Sequence, residues 1–338
     1  MSESRHARQV ALPVIGAEGQ RRLSRATVAV VGLGALGSVE AEWLVRAGVG
    51  RLLLVDRDVV ETTNLQRQVL YTEDDAARGR PKAEAAAARL RAVDSAVDLV
   101  PLALDLGPEA AEERLAEADL LLDGTDNFET RYLLNDLAVA TRRPWVYAGA
   151  VGIHGAVAAF PVGTGCLRCL WPEPPPPGAT PTCRDAGVLG PAVGAVASLA
   201  AAQAVRLLVG DAPEAPRLLH LDAWSLEVHA VAVPRDPECP ACGARRFPWL
   251  DGERGRAEAE PVCGSEAVQL PADGARPDLV AGARRLAGRV EGLETTAGLV
   301  RWRHRGLELY LFADGRVLVR GTRDVGRARS ALARTLGC

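Results

Sequence analysis

The sequence almost lacks lysine: among 40 basic residues only Lys82 carries an ammonium group, and the other 39 are arginines. A coding bias toward arginine explains the 39, and it makes the surviving lysine a candidate for a place where a guanidinium cannot serve, unless it escaped by chance. Surplus charge is missing too. A formal net charge of −3 and a pI near 6.0 give no general attraction to nucleic acid, whose non-specific binding rests on surplus cations. Residues 1–9 carry Arg5 and Arg8 with no apolar run behind them, so no signal peptide is visible and a cytoplasmic protein is expected. No internal repeat or coiled-coil heptad stands out. Without a secretory signal, the seven cysteines argue against a disulfide framework and for metal or catalytic use.

What is present is an ordinary folded composition. Over 338 residues, 48% are apolar and 25% charged, with a mean hydropathy of +0.03, which suits one large domain and a small one. Val188 to Val209 is apolar enough to raise the question of a membrane span, but it holds Pro191, Gln203 and Arg206 and reads as a buried core helix.

Short apolar runs alternate with helical stretches through the first half of the chain. Strands are expected at Thr27–Val31, Leu52–Val55, Val97–Leu102, Leu120–Leu122 and Trp145–Ala148. Helices are expected at Ser38–Ala47, Pro81–Ala92, Pro108–Ala118 and Glu129–Thr141. That alternation predicts an α/β fold with a doubly wound, mostly parallel sheet. The strands Ala156–Phe160, Leu218–Leu221 and Leu226–Val233 alternate in polarity and should extend the sheet in antiparallel fashion. Between the first two lies the proline-rich stretch Trp171 to Pro181, expected as an exposed loop.

The chain is expected to divide at 1–248, a nucleotide-binding domain; 249–262, a linker; and 263–338, a small α+β appendage. In the appendage, helices are expected at Leu279–Leu286 and Gly326–Leu336, and strands at Val300–Trp302, Leu307–Phe312 and Val317–Val319.

Gly32-Leu33-Gly34-Ala35-Leu36-Gly37 fits G-x-G-x-x-G after a strand and before a helix, and Asp56 closes the next strand about twenty residues on. Such glycines let backbone N–H groups approach a phosphate at a helix N-terminus, while the acid accepts from ribose hydroxyls. The loop suits a dinucleotide or ATP equally, and a tight turn without ligand is the third option. Three further clusters favour ATP. Asn64-Leu65-Gln66-Arg67-Gln68, preceded by Thr63, follows the second strand; Pro81-Lys82 opens a helix; Asp123-Gly124-Thr125-Asp126-Asn127 closes the fourth strand. A carboxylate at that edge can hold magnesium against phosphate oxygens, and Asp126 is the choice, with a helix N-cap as its alternative role. Taken singly, Arg67 could be a solvated surface arginine.

Arg8-Gln9, the glycine loop, Asp56, Asn64 to Gln68, Lys82 and Asp126-Asn127, in that order, resemble the ThiF/MoeB/HesA family, relatives of ubiquitin-activating enzymes, across Arg5 to Cys242. The resemblance implies ATP held by Gly32, Gly34, Ala35, Gly37, Asp56, Thr63, Asn64, Leu65, Gln66, Arg67, Lys82, Asp126 and Asn127, with magnesium on Asp126. It implies a homodimer in which Arg8 reaches the partner's site. It also implies that the Gly-Gly tail of a small ubiquitin-like sulfur carrier enters the groove, that its carboxylate attacks the α-phosphate, and that pyrophosphate leaves. That carboxylate is already ionised near neutral pH, so no general base is needed. Positioning and charge stabilisation by Arg8, Arg67 and Lys82 should carry the reaction.

Cys166-x-x-Cys169 and Cys239-x-x-Cys242 form two knuckles with glycine or proline nearby, a set of four thiolates that suits a closed structural zinc. Buried or redox-active thiols are the alternative; the family resemblance also implies a zinc here. Cys183, just past the proline-rich loop, could be a nucleophile or an inert thiol; in the family a cysteine in this loop accepts the carrier or exchanges sulfur with it in some members. Cys263 and Cys338 have no partner spacing. His154 is as suited to a turn as to a ligand role.

The leading expectation is an ATP-, magnesium- and zinc-containing adenylyltransferase for a sulfur carrier serving thiamine, molybdopterin or tRNA-thiolation chemistry, with a cysteine desulfurase or sulfurtransferase as a further partner. The alternatives are a dehydratase that activates a tRNA nucleoside carboxylate, an NAD-dependent oxidoreductase, and a silent interaction module.

Overall fold

The structure, a computed structural model, describes residues 5–176, 186–254, 260–261, 266–272 and 276–336. It forms two compact units, residues 1–102 with 106–254, and residues 103–105 with 255–338.

The first unit is built on eight strands: β1 Thr27–Val31, β2 Arg51–Val55, β3 Asp98–Leu102, β4 Leu120–Asp123, β5 Trp145–Val151, β6 His154–Phe160, β7 Arg217–Asp222 and β8 Glu227–Ala232. Their order in the sheet is β3-β2-β1-β4-β5-β6-β7-β8. The first five run parallel and the last three return antiparallel. Val28, Ala29, Val30, Leu52, Leu54, Leu120, Leu121 and Leu122 are fully buried, as expected of parallel strands covered by helices on both faces. β8 is exposed along its whole length.

Strand order turns back at β1, which has β2 on one side and β4 on the other, so a crevice opens at their carboxyl ends. Val31 lies opposite both Val55 and Asp123. The glycine loop, Asp56 and the segment after Asp123 therefore leave the sheet side by side.

The helix after the glycine loop runs Ala35–Ala47, three residues earlier than expected, because Gly34 caps it and Ala35, Leu36 and Gly37 already belong to its first turn. The Pro108 helix stops at Arg114. The helix Gly190–Val209 is long and apolar enough to cross a membrane by length and composition. It packs instead as a core element: Val193, Val196, Ala197, Ala200 and Ala204 are buried, and a Cβ on Gly155 of β6 would lie 2.2 Å from Val196. Helix and sheet touch at that glycine.

The second unit is an antiparallel sheet of β9 Glu260–Pro261, β10 Ala267–Leu270, β11 Glu291–Thr295, β12 Leu299–His304, β13 Leu307–Phe312 and β14 Val317–Arg320, in the order β11-β12-β13-β14-β10-β9. Leu286 of the helix Leu279–Leu286 and Ala328 and Ala331 of the helix Val325–Leu336 share a core with Trp302, Leu309 and Val319. Three strands are expected here, and six are present among the described residues. β11 escaped because Glu291, Gly292, Glu294 and Thr295 are exposed and no apolar alternation marks them. β9 lies inside the stretch read as linker and pairs with Val268 and Gln269.

Candidate active site

The glycine loop is held by backbone packed against backbone. Gly32 has φ +85°, and a Cβ on Gly37 would sit 1.8 Å from the Gly32 carbonyl; no larger residue fits that contact. Gly34 differs. Around its Cβ direction only the Gln68 Nε2 comes near, at 3.8 Å. Gln68 is 4% exposed, and its Oε1 has no partner among the described residues. An open glycine face beside a buried, unsatisfied amide is what a bound polar ligand would complete. The Tyr71 hydroxyl braces the loop from below by donating to the Leu33 carbonyl at 2.7 Å.

Asp56 ties the loop to the second strand. One carboxylate oxygen accepts from Leu33 N–H and the other from Asp58 N–H, both at 2.7 Å. Burial pushes its carboxyl above the usual range, while Lys82 pulls it back.

Lys82 begins the helix Lys82–Val93, and its side chain is 8% exposed. The ammonium lies 3.1 Å from an Asp58 oxygen. Burial would strip its charge, but Asp58, then Asp56 and Asp126, hold the amine above the ordinary lysine range. The lone ammonium therefore faces three carboxylates at the carboxyl edge of the sheet.

Two acids close β4, and the structure separates their duties. Asp123 is fully buried; it accepts from Thr125 N–H and Oγ1 at 2.9 and 2.6 Å and from Arg131 Nε at 2.8 Å. Asp126 is exposed. The cap of the helix Phe128–Thr141 is Asn127, whose Oδ1 accepts from Thr130 N–H at 2.8 Å, so Asp126 is spared that role. Arg131 and Tyr71 lie outside every site pattern read from the sequence, because their spacing from the loops they brace carries no motif; Gln68 closes the cluster Asn64 to Gln68 that the sequence marks.

The other candidates lie around this edge. Asn64 is buried and its Oδ1 accepts from Glu61 N–H at 3.0 Å, closing the turn Thr62–Asn64. Thr63 and Gln66 are exposed, and Leu65 and Arg67 half-buried; Arg67 donates to the Thr63 carbonyl at 2.9 Å. Arg8 sits exposed on the short helix Ala7–Val10. Cys183, Cys263 and Cys338 lie outside the described residues. His154 opens β6, stacks on His220 and lies 3.7 Å from Asp222.

The four knuckle cysteines converge. Their sulfurs all lie within 4.8 Å of one another, with Cys169–Cys242 at 3.3 Å, Cys166–Cys239 at 3.6 Å and Cys166–Cys169 at 4.0 Å. An ion with about 2.3 Å metal–sulfur bonds in tetrahedral geometry sets its sulfurs about 3.8 Å apart, so the set fits a metal. Burial, then Cys169, pushes the Cys242 thiol up to about 12.

One helix joins the two places. Along Phe128–Thr141, Arg131 grips Asp123 at the crevice. Four to five residues on, the Asn135 Oδ1 accepts from Leu167 N–H at 3.0 Å, and Asp136 meets Arg168 at 3.1 Å and Trp249 N–H at 3.3 Å. Leu167 and Arg168 lie between the first pair of cysteines. Burial pushes the Asp136 carboxyl up to about 6, against the pull of Arg168.

A family model described as the ThiF family matches residues 6–241. The chain is 41% identical to the sulfur carrier protein ThiS adenylyltransferase of Bacillus subtilis, over 98% of this chain and 99% of that protein. It is 46% identical to the sulfur carrier protein adenylyltransferase of Thermus thermophilus, over 71% of this chain and 90% of that protein. Among solved structures, Escherichia coli MccB with ATP covers 72% of this chain and 75% of its own at a TM-score of 0.61 and 23% identity, a likeness of fold.

Proposed function

The chain belongs to the ThiF family, and from that premise we propose that it adenylates the C-terminal glycine carboxylate of a small ubiquitin-like sulfur carrier, consuming ATP and releasing pyrophosphate. The observation that carries this is the buried Lys82 ammonium, paired with Asp58 at the carboxyl edge of the sheet; the open Gly34 face and the Gln68 amide oxygen, without a partner among the described residues, support it. Two relatives named for sulfur-carrier adenylylation, one matching almost end to end, support the choice of substrate.

The loop from Gly32 to Gly37 presents backbone N–H groups to phosphate, and Asp56 takes the ribose hydroxyls. Lys82 and Arg67 stabilise charge on the phosphates as the carrier's carboxylate attacks the α-phosphorus and pyrophosphate departs; no residue needs to remove a proton. Asp126 would hold magnesium, which would neutralise phosphate charge when bound.

Cys166, Cys169, Cys239 and Cys242 would hold a zinc ion, and four thiolates from the chain suit a structural role for it. The chain forms a homodimer in which Arg8 serves the partner's site. Only 39% of the apolar window of Gly190–Val209 is buried, and Trp43, hydrogen-bonded to Ser198 of that helix, is half exposed, with Leu199 exposed next to it; such a face calls for a cover. The Cys183 thiolate attacks the carrier's acyl-adenylate, so that a thioester forms as the bond to phosphate breaks and AMP leaves; a cysteine desulfurase or sulfurtransferase supplies the carrier's sulfur, in the cytoplasm.

The test is mass spectrometry of Gly-Gly-ending carriers incubated with the protein and ATP. A mass gain of one AMP on a carrier is expected. ATP consumption stimulated by tRNA, with no gain on any carrier, would overturn the proposal.

A further inference from the structure

Asp58 has no part in the proposed reaction, yet Lys82 is attached to it twice. The Lys82 backbone N–H donates to the Asp58 carbonyl at 2.9 Å, and the Lys82 ammonium donates to the Asp58 carboxylate at 3.1 Å. The grip is reinforced along the chain: Val59 pairs with Pro81, and Val60 N–H donates to the Arg80 carbonyl at 2.8 Å. Asp58 to Val60 and Arg80 to Lys82 thus form a short two-stranded ribbon. Its other end is tied to the nucleotide loop, because Asp58 N–H and Leu33 N–H donate to the two oxygens of one Asp56 carboxylate.

Exposure separates the two ion-pair partners. The lysine side chain is 8% exposed and the Asp58 side chain 41%. A carboxylate reachable by solvent can swing aside; an ammonium walled in by the fold cannot travel far. The other acids that act on the amine are Asp56, already engaged by two backbone N–H groups, and Asp126, which the proposed function gives to magnesium. Asp58 is the acid left to hold the lysine when no nucleotide is bound.

We propose that Asp58 is a positioning residue for Lys82: it keeps the ammonium charged and aimed at the phosphate edge in the empty site, and gives it up when a triphosphate arrives. The exchange replaces one anionic partner by another, so the amine never faces desolvation alone. This rests on the adenylation reading for its effect on turnover. The hold on the amine is independent of that reading.

The lysine-poor composition makes the test direct, since Lys82 is the sole side-chain amine in the chain. Asp58→Asn, which keeps the backbone carbonyl contact, and Asp58→Glu would be compared with the parent full-length chain. The first readout is acetylation by an N-hydroxysuccinimide ester at pH 8.5 without nucleotide, followed by mass spectrometry of the Lys82 peptide. Asp58→Asn is expected to label about tenfold faster, as one unit lost from the amine's pKa implies. The second is carrier-dependent pyrophosphate exchange, in which kcat falls about tenfold while KM for ATP stays within about threefold. Asp58→Glu recovers most of kcat, which a purely structural role would not produce. Equal labelling of Asp58→Asn and parent, or faster labelling with unchanged kcat, overturns the proposal. A parent that exchanges no pyrophosphate with any Gly-Gly carrier overturns the adenylation reading instead, and the labelling ratio still decides whether Asp58 holds the amine.

Discussion

Both units bury charge, but only the first leaves it aimed at an opening. In the second unit Arg301, 5% exposed, lies 2.8 Å from Glu308 on the neighbouring strand and 3.6 Å from Glu294. Arg316, 2% exposed, lies 2.9 Å from Asp314 and stacks on the Phe312 ring. Arg301 faces acids on both neighbouring strands and ties them together, and Arg316 closes the turn between β13 and β14. In the first unit Lys82 sits among Asp58, Asp56 and Asp126 where three strands end in a crevice, and the Gln68 amide oxygen of the same unit has no partner among the described residues. Buried charge alone does not mark a site; unfinished pairing at a sheet's carboxyl edge does.

The sharpest way to break this contrast is to remove charge from each unit and compare. Lys82→Ala and Asp126→Ala should each lower carrier-dependent pyrophosphate exchange at least about a thousandfold, the scale of losing a charge that acts on the transition state. Their melting temperatures should stay within a few degrees of the parent. Exchange at the parental rate in either variant would remove its assigned role. Next in size, Cys166→Ser with Cys239→Ser should lose the bound metal, read by elemental analysis. It should also melt about 10 °C lower, since a closed metal site contributes folding energy directly.

Arg301→Met is the mirror experiment in the second unit. It should lower the unfolding free energy by about 2 kcal/mol in urea titrations, as breaking a buried pair does, and leave exchange within about twofold. Loss of exchange there would blur the distinction drawn above.

The smallest effect belongs to Glu40, fully buried on the helix after the glycine loop, with neither carboxylate oxygen partnered among the described residues. Burial, then Asp123, holds its carboxyl well above the ordinary 4.5. The folded state keeps this proton when the unfolded chain has lost it, so Glu40 costs stability that is absent below the unfolded pKa and grows as pH rises past it. Glu40→Met should gain about 1 kcal/mol at pH 8 and almost nothing at pH 4. Equal gains at both would refute the assignment.

Much of the first unit is legible in the chain because parallel strands buried on both faces read as unbroken apolar runs, and Thr27–Val31 is read to the residue. The glycine loop, Asp56 and the cysteine knuckles are legible for a similar reason: each is a local pattern with a steric or ligand requirement. What is not legible is partnership across the chain. Nothing in the sequence says that Asp123, rather than Asp126, is occupied by Arg131, or that Asp58 finds Lys82 24 positions later. The same holds for β11, whose exposed acids and glycine carry no inside-outside rhythm.

The helix Phe128–Thr141 touches the crevice at Arg131 and the cysteine cluster through Asn135 and Asp136. An oxidant that took two electrons from Cys169 and Cys242 would displace any ion the cluster held and draw two sulfurs now 3.3 Å apart to about 2.05 Å, moving Leu167 and Arg168 with them. Because one helix carries both sets of contacts, a shift at the cysteine cluster is passed through Asn135 and Asp136 toward Arg131 and the Asp123 it holds.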